Sequence, residues 1–181
     1  MFSKKLKVPR QNKIVPNANE IVEACKEMRK TIPEDKTLIR AIDTHDETQN
    51  YKYIHPEVHC GTDAVNADLV LAYMMDGIPF IFNGYEIADD NYHSIYANRF
   101  YGKNNSINWC KALTKDGIYR KKLIAKLSKI RKENEALYKG KLEWIENAYP
   151  DKLLSFVRTY KGKRLLVFIN TSDKAVKINV E

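Results

Sequence analysis

The spacing of apolar residues in the first patterned stretch predicts an amphipathic helix. Residues 17–32 read NANEIVEACKEMRKTI. Their apolar positions recur at the interval of one helical face: Ile21, Val22, Cys25 and Met28. Asn17 or Asn19 is a suitable N-cap, and Pro33 lies beyond the end of the pattern. The stretch TLIRAID that follows is short and apolar, which predicts a strand.

Three further stretches extend this alternation of helices and strands. GTDAVNADLVLAYMMD is apolar nearly all round, which predicts a buried helix that is capped by Thr62 and ended by Gly77. GIPFIFNG is a short apolar run between glycines, which is typical of a strand buried on both faces in a parallel sheet. KKLIAKLSKIRKENEALY predicts an amphipathic helix with this apolar stripe: Leu123, Ile124, Leu127, Ile130 and Leu137. The order of elements indicates parallel α/β units.

The pattern changes character near Lys139 and Gly140. Four short apolar stretches follow: KLEWIENA, KLLSFVRTY, RLLVFIN and AVKINV. Turn signals separate them at intervals of roughly ten residues, which predicts an antiparallel meander or part of a β-sandwich. We therefore expect a loop or disordered N-terminus over residues 1–16, an α/β region over residues 17–139 and an all-β region over residues 140–181.

Charge is distributed unevenly along the 181 residues. The net charge of +8 divides into +5 for residues 1–40, −7 for residues 41–110 and +10 for residues 111–181. The acidic central segment holds all four histidines and would repel a phosphate backbone, so we expect no nucleic-acid partner. The most apolar stretch, residues 67–82, is interrupted by Asp76 and Pro79, so we expect no membrane partner either.

The densest cluster of titratable groups follows the first predicted strand: Asp43, His45, Asp46 and Glu47. Glu86 follows the second predicted strand. Neighbouring parallel strands end at the same edge of a sheet, where α/β proteins keep their chemistry. Carboxylates gathered there could perform acid and base catalysis on a neutral substrate if their environments separate their pKa values. Solvated loop acids remain the alternative interpretation.

A metal site is a weaker alternative. His55, His59 and Cys60 lie at a spacing that could bring ligands together, with Asp63 nearby. Pro56 disfavours the helical conformation that would align the two histidines, and no second pair of ligands completes a structural zinc site. The sequence therefore predicts no metal in this chain.

Five motifs, taken in order, resemble the α-amylase family of glycoside hydrolases: IDTHD, LAYMMDGIPFIFNGYEI, SINW, KIRKENEALYKG and LLSFVRTYKGKRLLVFIN. The resemblance runs from about Asn17 to Val180. It implies an α/β part followed by an all-β part. The first would be the C-terminal piece of a (β/α)₈ TIM barrel, with its seventh and eighth strands and last helix. The second would be a partial antiparallel β-sandwich.

The resemblance also implies roles for individual residues. Asp46 matches the catalytic carboxylate that binds sugar hydroxyls and helps to distort the ring, and His45 matches the histidine that stabilises the transition state. Glu86 matches a structural position, and Arg99 would contribute to substrate binding. Thr44 departs from the asparagine usual in the family, which puts in doubt how the loop around His45 is held.

The nucleophile and the acid/base carboxylate of a retaining α-glycosidase would lie on barrel strands that this chain lacks. The implied function is that of a C-terminal fragment of an α-amylase-type hydrolase of α-linked glucans or maltooligosaccharides. The fragment would be inactive alone and would have the missing N-terminal barrel portion as its partner. No cofactor is expected in this chain, and calcium would belong to the missing part. The alternatives are a non-catalytic carbohydrate-binding or accessory protein and a basic interaction protein, which the acidic central segment argues against.

Overall fold

The computed structural model describes residues 17–33, 35–44, 55–91 and 106–179. The predicted N-terminal loop and the residues His45, Asp46 and Arg99 lie outside these ranges. The described helices are α1 (Ala18–Lys30), α2 (Pro56–His59), α3 (Thr62–Met74), α4 (Lys115–Glu133) and α5 (Ala136–Lys139). The strands are β1 (Ile39–Ala41), β2 (Ile78–Phe80), β3 (Lys141–Trp144), β4 (Leu153–Tyr160) and β5 (Lys163–Asn170). Short 3₁₀ turns occupy Tyr85–Ile87 and Trp109–Leu113.

Helix α1 forms as the apolar spacing predicts. The Asn17 side chain accepts a hydrogen bond from the Asn19 amide at 2.9 Å, so Asn17 is the N-cap. The Asn17 side-chain amide also donates to the Asp151 carboxylate at 2.8 Å, and the Ala18 amide donates to the Asp151 carbonyl at 3.1 Å. The start of α1 is thereby attached to the connection between β3 and β4.

Helix α3 is largely buried, as predicted, but both of its predicted boundaries are wrong. Gly61 is the N-cap rather than Thr62, and it adopts a positive φ of 84° that glycine tolerates best. The helix ends at Met74, before Gly77. Gly77 instead forms the turn into β2, where a Cβ atom would lie 2.5 Å from the Leu38 carbonyl oxygen.

Strands β1 and β2 pair in parallel, with Ile39 opposite Ile78 and Ala41 opposite Phe80. The prediction that β2 is buried on both faces is wrong. Ile39 is 67% exposed, Ile78 57% and Phe80 40%. The described ranges contain no third strand beside this pair. Arg40 points to the opposite, buried face and pairs with Asp76.

The predicted basic helix begins earlier than expected and is interrupted before its predicted C-terminal end. It begins at Lys115 because the Thr114 hydroxyl accepts a hydrogen bond from the Gly117 amide at 3.2 Å. It ends at Glu133, and the Asn134 side chain donates to the Ile130 carbonyl at 2.7 Å. The chain then continues as α5. The predicted apolar stripe packs on the core along both helices.

Strands β3, β4 and β5 form the predicted antiparallel meander, in that spatial order. The predicted fourth strand, AVKINV, is wrong as far as the described residues extend, because residues 175–179 form no strand. A turn after β5 redirects the chain. The Asn170 side chain donates to the Lys174 carbonyl at 2.7 Å and accepts from the Ser172 amide at 3.0 Å.

A hydrophobic core joins the helices to the antiparallel sheet. Its buried members come from both parts of the chain: Ile21, Leu69, Leu127, Leu137, Leu154, Phe156, Val167 and Ile169. Two arginines satisfy carbonyl groups where α3 ends. Arg131 donates to the Tyr73 carbonyl at 2.6 Å, and Arg158 donates to the Met74 carbonyl at 3.5 Å and to the Gly140 carbonyl at 2.8 Å. Burial lowers the pKa of Arg158 to about 10. The predicted domain boundaries stay predictions.

None of the helices in the described part of the chain is long and apolar enough to cross a membrane.

Candidate functional site at the ends of the parallel strands

The parallel pairing directs the carboxyl ends of β1 and β2 to the same edge, as the sequence predicts. Asp43 follows β1 and is buried, and its carboxylate accepts a hydrogen bond from the Thr44 amide at 2.8 Å. After β2, the Glu86 carboxylate accepts from the Gly84 amide at 2.9 Å. Glu86 therefore closes its own turn, whereas the predicted His45 and Asp46 come directly after the last described residue of the β1 end.

Tyr85 begins the turn that follows β2 and is only 2% exposed. Its ring meets the His55 ring edge-on, with centroids 6.4 Å apart and planes at 90°, and it meets Phe82 in a similar arrangement. Burial, and then the neighbouring Asp43 carboxylate, hold the pKa of the Tyr85 phenol well above its ordinary value. The phenol therefore stays protonated at neutral pH. Sequence reasoning considered Glu86 of the motif GYE as a site residue but not its neighbour Tyr85.

Arg120 lies on α4, next to the site, and is 0% exposed. The arginine ties α4 to three other segments with these partners: the Glu57 carboxylate at 2.7 Å, the Tyr85 carbonyl at 3.0 Å, the Thr62 carbonyl at 3.3 Å and the Asn66 side-chain oxygen. Sequence reasoning missed Arg120 because the predicted basic helix began at the next residue, Lys121. A usable signal existed, since Arg120 lies at helical spacing from Leu123, Ile124 and Leu127 of the buried stripe.

Two carboxyl groups near this edge have raised pKa values. Burial raises the pKa of Glu57, and the Arg120 guanidinium only partly opposes that effect. Burial alone raises the pKa of Asp68, on α3, to about 7. Such values are common at functional sites, although structural clusters also produce them.

The segment that follows the β2 end is fastened by close packing. A Cβ atom on Gly117 would lie 2.0 Å from the Lys111 carbonyl oxygen and 2.9 Å from the Ile87 carbonyl oxygen, so only glycine fits there. The Asp89 carboxylate, which is fully buried, accepts from the Asn91 amide at 3.3 Å and from the Asn108 amide at 3.4 Å. These contacts hold the turn Trp109–Leu113 next to the candidate site.

The two histidines considered as metal ligands lie at opposite ends of helix α2. His55 is the N-cap residue of α2 and is buried against Tyr85, while His59 ends the same short helix. Across the described ranges, no group of three or more His, Cys, Asp or Glu side chains is placed to hold a metal ion.

Asp68 provides a prediction about pH dependence. Its folded-state pKa of about 7 exceeds its ordinary value of 3.8, so the folded state retains a proton that the unfolded state releases. The free energy of unfolding should therefore fall as pH rises from about 4 to 7. Asp68→Asn removes the Asp68 contribution to this dependence and should be more stable than wild type by about 1–3 kcal/mol at pH 8.

Urea unfolding between pH 4 and pH 8 measures this difference. Asp173→Asn, at an exposed position in the turn after β5, is the matched control and should keep the wild-type slope. Equal slopes for Asp68→Asn and wild type would show that Asp68 ionises normally in the folded protein.

Comparison with known proteins gives matches among solved structures. No family model and no curated protein matches the sequence. The structure is similar to that of the noncanonic maltogenic α-amylase AmyB from Thermotoga neapolitana, with a TM-score of 0.62 and 15% identity over 86% of this chain and 33% of that chain. It is similar to a debranching enzyme from Nostoc punctiforme, with a TM-score of 0.61 and 19% identity over 86% of this chain and 29% of that chain.

It is also similar to an α-amylase from H. orenii, with a TM-score of 0.56 and 18% identity over 84% of this chain and 34% of that chain. The expected resemblance to α-amylase enzymes is thus confirmed at the level of the fold. The chain spans about a third of the length of these structures.

Proposed function

We propose that this chain supplies the C-terminal portion of an α-amylase-type glycoside hydrolase that acts on α-linked glucans or maltooligosaccharides. The observation that carries the proposal is the parallel pairing of β1 and β2, which directs Asp43, after β1, and the turn at Gly84, after β2, to one edge of a fold similar to that of amylases. In this proposal β1 and β2 are the last two strands of a (β/α)₈ barrel. The meander β3–β5 begins the β-sandwich that follows the barrel.

The proposed catalytic contribution comes from two residues that follow Thr44. The Asp46 carboxylate binds hydroxyls of the sugar at the cleavage point and stabilises the positive charge of the oxocarbenium-like transition state. His45 donates a hydrogen bond to the same sugar, and Arg99 adds a substrate contact. Hydrogen bonds that strengthen in the transition state raise the rate, whereas those equally strong in the ground state do not.

The chain needs a second polypeptide segment for this chemistry. A retaining glycosidase uses a nucleophile carboxylate and an acid/base carboxylate on either side of the scissile bond. We propose that the N-terminal barrel portion provides both, together with any calcium site, and that this chain alone is inactive and binds no cofactor of its own.

The open apolar face of the parallel pair supports this partner. Ile39, Ile78 and Phe80 lie on one face of β1 and β2 and are substantially exposed. In proteins, both faces of a parallel sheet are normally covered by other elements. A polypeptide that contributes further parallel strands and apolar side chains would cover this face and hydrogen-bond to the strand edges that no described strand occupies.

Release of reducing sugar from maltooligosaccharides tests the function. The purified chain should give none, and addition of a polypeptide that carries the earlier barrel strands should restore release. Activity of the chain alone, with mass spectrometry excluding longer polypeptides, would contradict the proposal. Binding of maltooligosaccharide without turnover, even in the mixture, would favour the non-catalytic carbohydrate-binding alternative.

Substitution of the apolar face tests the partner. Ile78→Glu places a charge in the proposed interface and should abolish assembly with the N-terminal portion, because a buried unpaired carboxylate is strongly unfavourable. Leu166→Glu is the matched control, since Leu166 is 40% exposed and lies on β5, in the sheet that contains neither β1 nor β2. Sedimentation velocity measures the assembly. If both variants assemble equally, the partner does not bind the apolar face of β1 and β2.

A further inference from the structure

Asparagine followed directly by glycine occurs once in the sequence, at Asn83 and Gly84. The structure places this pair in a turn shortly after β2, where Asn83 is exposed. Glycine has no Cβ atom, so no side chain of residue 84 shields its backbone nitrogen from the Asn83 side chain. The pair takes no part in the proposed catalytic mechanism.

The chemistry available to this pair is deamidation. The Gly84 nitrogen attacks the side-chain amide carbon of Asn83, and a new C–N bond closes a succinimide ring. The amide proton of Gly84 leaves with the side-chain NH2 group as ammonia. Water then opens the ring and leaves aspartate or isoaspartate at position 83. The net change replaces NH2 by OH, consumes one water and needs no oxidant or cofactor.

The folded turn holds the two reacting groups apart. The Tyr85 amide donates to the Phe82 carbonyl at 3.1 Å, and Gly84 has φ 97° and ψ −23°. Asn83 has a negative φ, so residues 82–85 have the geometry of a type II turn, in which ψ of the second residue is about +120°. Ring closure in an L residue requires a ψ of the opposite sign. The peptide plane between Asn83 and Gly84 must therefore rotate before the nitrogen can attack.

The Glu86 carboxylate holds that peptide plane in place. It accepts a hydrogen bond from the Gly84 amide at 2.9 Å, and this N–H group belongs to the plane that must rotate. The hydrogen bond therefore breaks before the ring closes. The negative charge of Glu86 also opposes removal of the amide proton. On the other side of Gly84, its carbonyl accepts from the Ile87 amide at 3.2 Å and from the Asp89 amide at 3.0 Å.

We propose that Asn83 is a modification site that deamidates spontaneously, and that Glu86 slows the reaction by holding the Gly84 amide. Deamidation adds a carboxylate close to Glu86 in the chain, and isoaspartate also lengthens the backbone of the turn by a methylene group. Both changes act against the hydrogen bond between Glu86 and Gly84. The lengthened turn also displaces Tyr85, whose carbonyl accepts from Arg120.

Mass spectrometry during incubation at pH 8 measures the reaction in the purified chain. The peptide that contains Asn83 should exchange NH2 for OH about tenfold more slowly in the folded chain than in urea, because the hydrogen bond to a charged group must first break. Asn147 is the internal control. Its side chain donates to the Leu153 carbonyl at 2.9 Å and to the Ser155 hydroxyl at 3.0 Å, and alanine follows it, so it should stay intact. Equal rates at Asn83 in the folded chain and in urea would overturn the protection, and an intact Asn83 in urea would overturn the site.

Substitution of Glu86 tests the protecting group. Glu86→Ala should deamidate about tenfold faster than wild type when folded, and at the wild-type rate in urea, because the hydrogen bond exists only in the folded chain. Glu143→Ala, at an exposed position on β3, is the matched control and should keep the wild-type rate in both conditions. A wild-type rate in folded Glu86→Ala would overturn the protecting role.

Glu86→Gln decides the question if Glu86→Ala does not fold. Glutamine keeps an oxygen that can accept from the Gly84 amide but carries no charge. Its folded chain, identified by a retained melting temperature, should deamidate at a rate between those of folded wild type and the chain in urea. A folded Glu86→Gln chain that deamidates as fast as the chain in urea would overturn the protecting role of this hydrogen bond.

Discussion

Asp46→Asn in the assembled enzyme should lower turnover of maltooligosaccharides by about 10²–10³-fold, the usual effect of removing one group that stabilises transition-state charge. Asparagine preserves the size of the side chain and most of its hydrogen bonds to sugar hydroxyls. It removes the negative charge that favours the developing oxocarbenium ion. The loss should therefore be in kcat more than in KM.

Rates of reducing-sugar release over a range of substrate concentrations measure this effect. Glu47→Gln, a change at the neighbouring carboxylate of the same cluster, is the matched control and should retain most of the activity. Near-normal turnover of Asp46→Asn with unchanged assembly would remove Asp46 from the catalytic site.

Arg120→Met should destabilise the chain by about 3–5 kcal/mol at pH 7, because it leaves the buried Glu57 carboxylate without its counter-charge. The methionine fills much of the vacated volume, so the loss reflects the unpaired charge and the carbonyls of Thr62 and Tyr85 that lose their donor. At pH 5 the loss of stability should be smaller, because the raised pKa of Glu57 allows its carboxylate to protonate and become neutral.

Chemical denaturation at the two pH values tests this expectation. Glu57→Leu with Arg120→Met should recover much of the lost stability, since replacing both partners of a buried pair by apolar groups is often neutral. Arg164→Met, at an exposed position on β5, is the control. A loss below about 1 kcal/mol for Arg120→Met, the size seen for exposed pairs, would show that the pair is solvated.

Elements defined by local patterns are those that the sequence predicts best. Helix α1 has both a regular apolar face and the Asn17 cap, and the strands of the meander have turn signals between them. The predicted fourth strand fails because strand formation depends on a partner edge, and the Asn170 turn directs the chain away from β5. Apolar composition likewise indicates that β2 can be buried but not whether anything covers it.

The supporting residues of the site were harder to predict for a different reason. Arg120 and Tyr85 are polar residues whose burial depends on which segments meet, and that information is distributed over α2, α3, α4 and the β2 end. The parallel arrangement of the two strand ends was predictable from the order of elements. The roles of His45, Asp46 and Arg99 stay predictions, because these residues lie outside the described ranges.

The core shared by helices and sheet has a consequence for how such a sequence can change through recombination. The point between Lys139 and Gly140 looks like a natural crossover site, because helices precede it and strands follow. A crossover there would replace the sheet while keeping the helices. The new sheet would need an apolar residue in place of Leu154 in the core that contains Leu137, and a donor in place of Arg158 for the Met74 carbonyl. We therefore expect functional chimaeras only when α1, α3, α4 and the meander are inherited together.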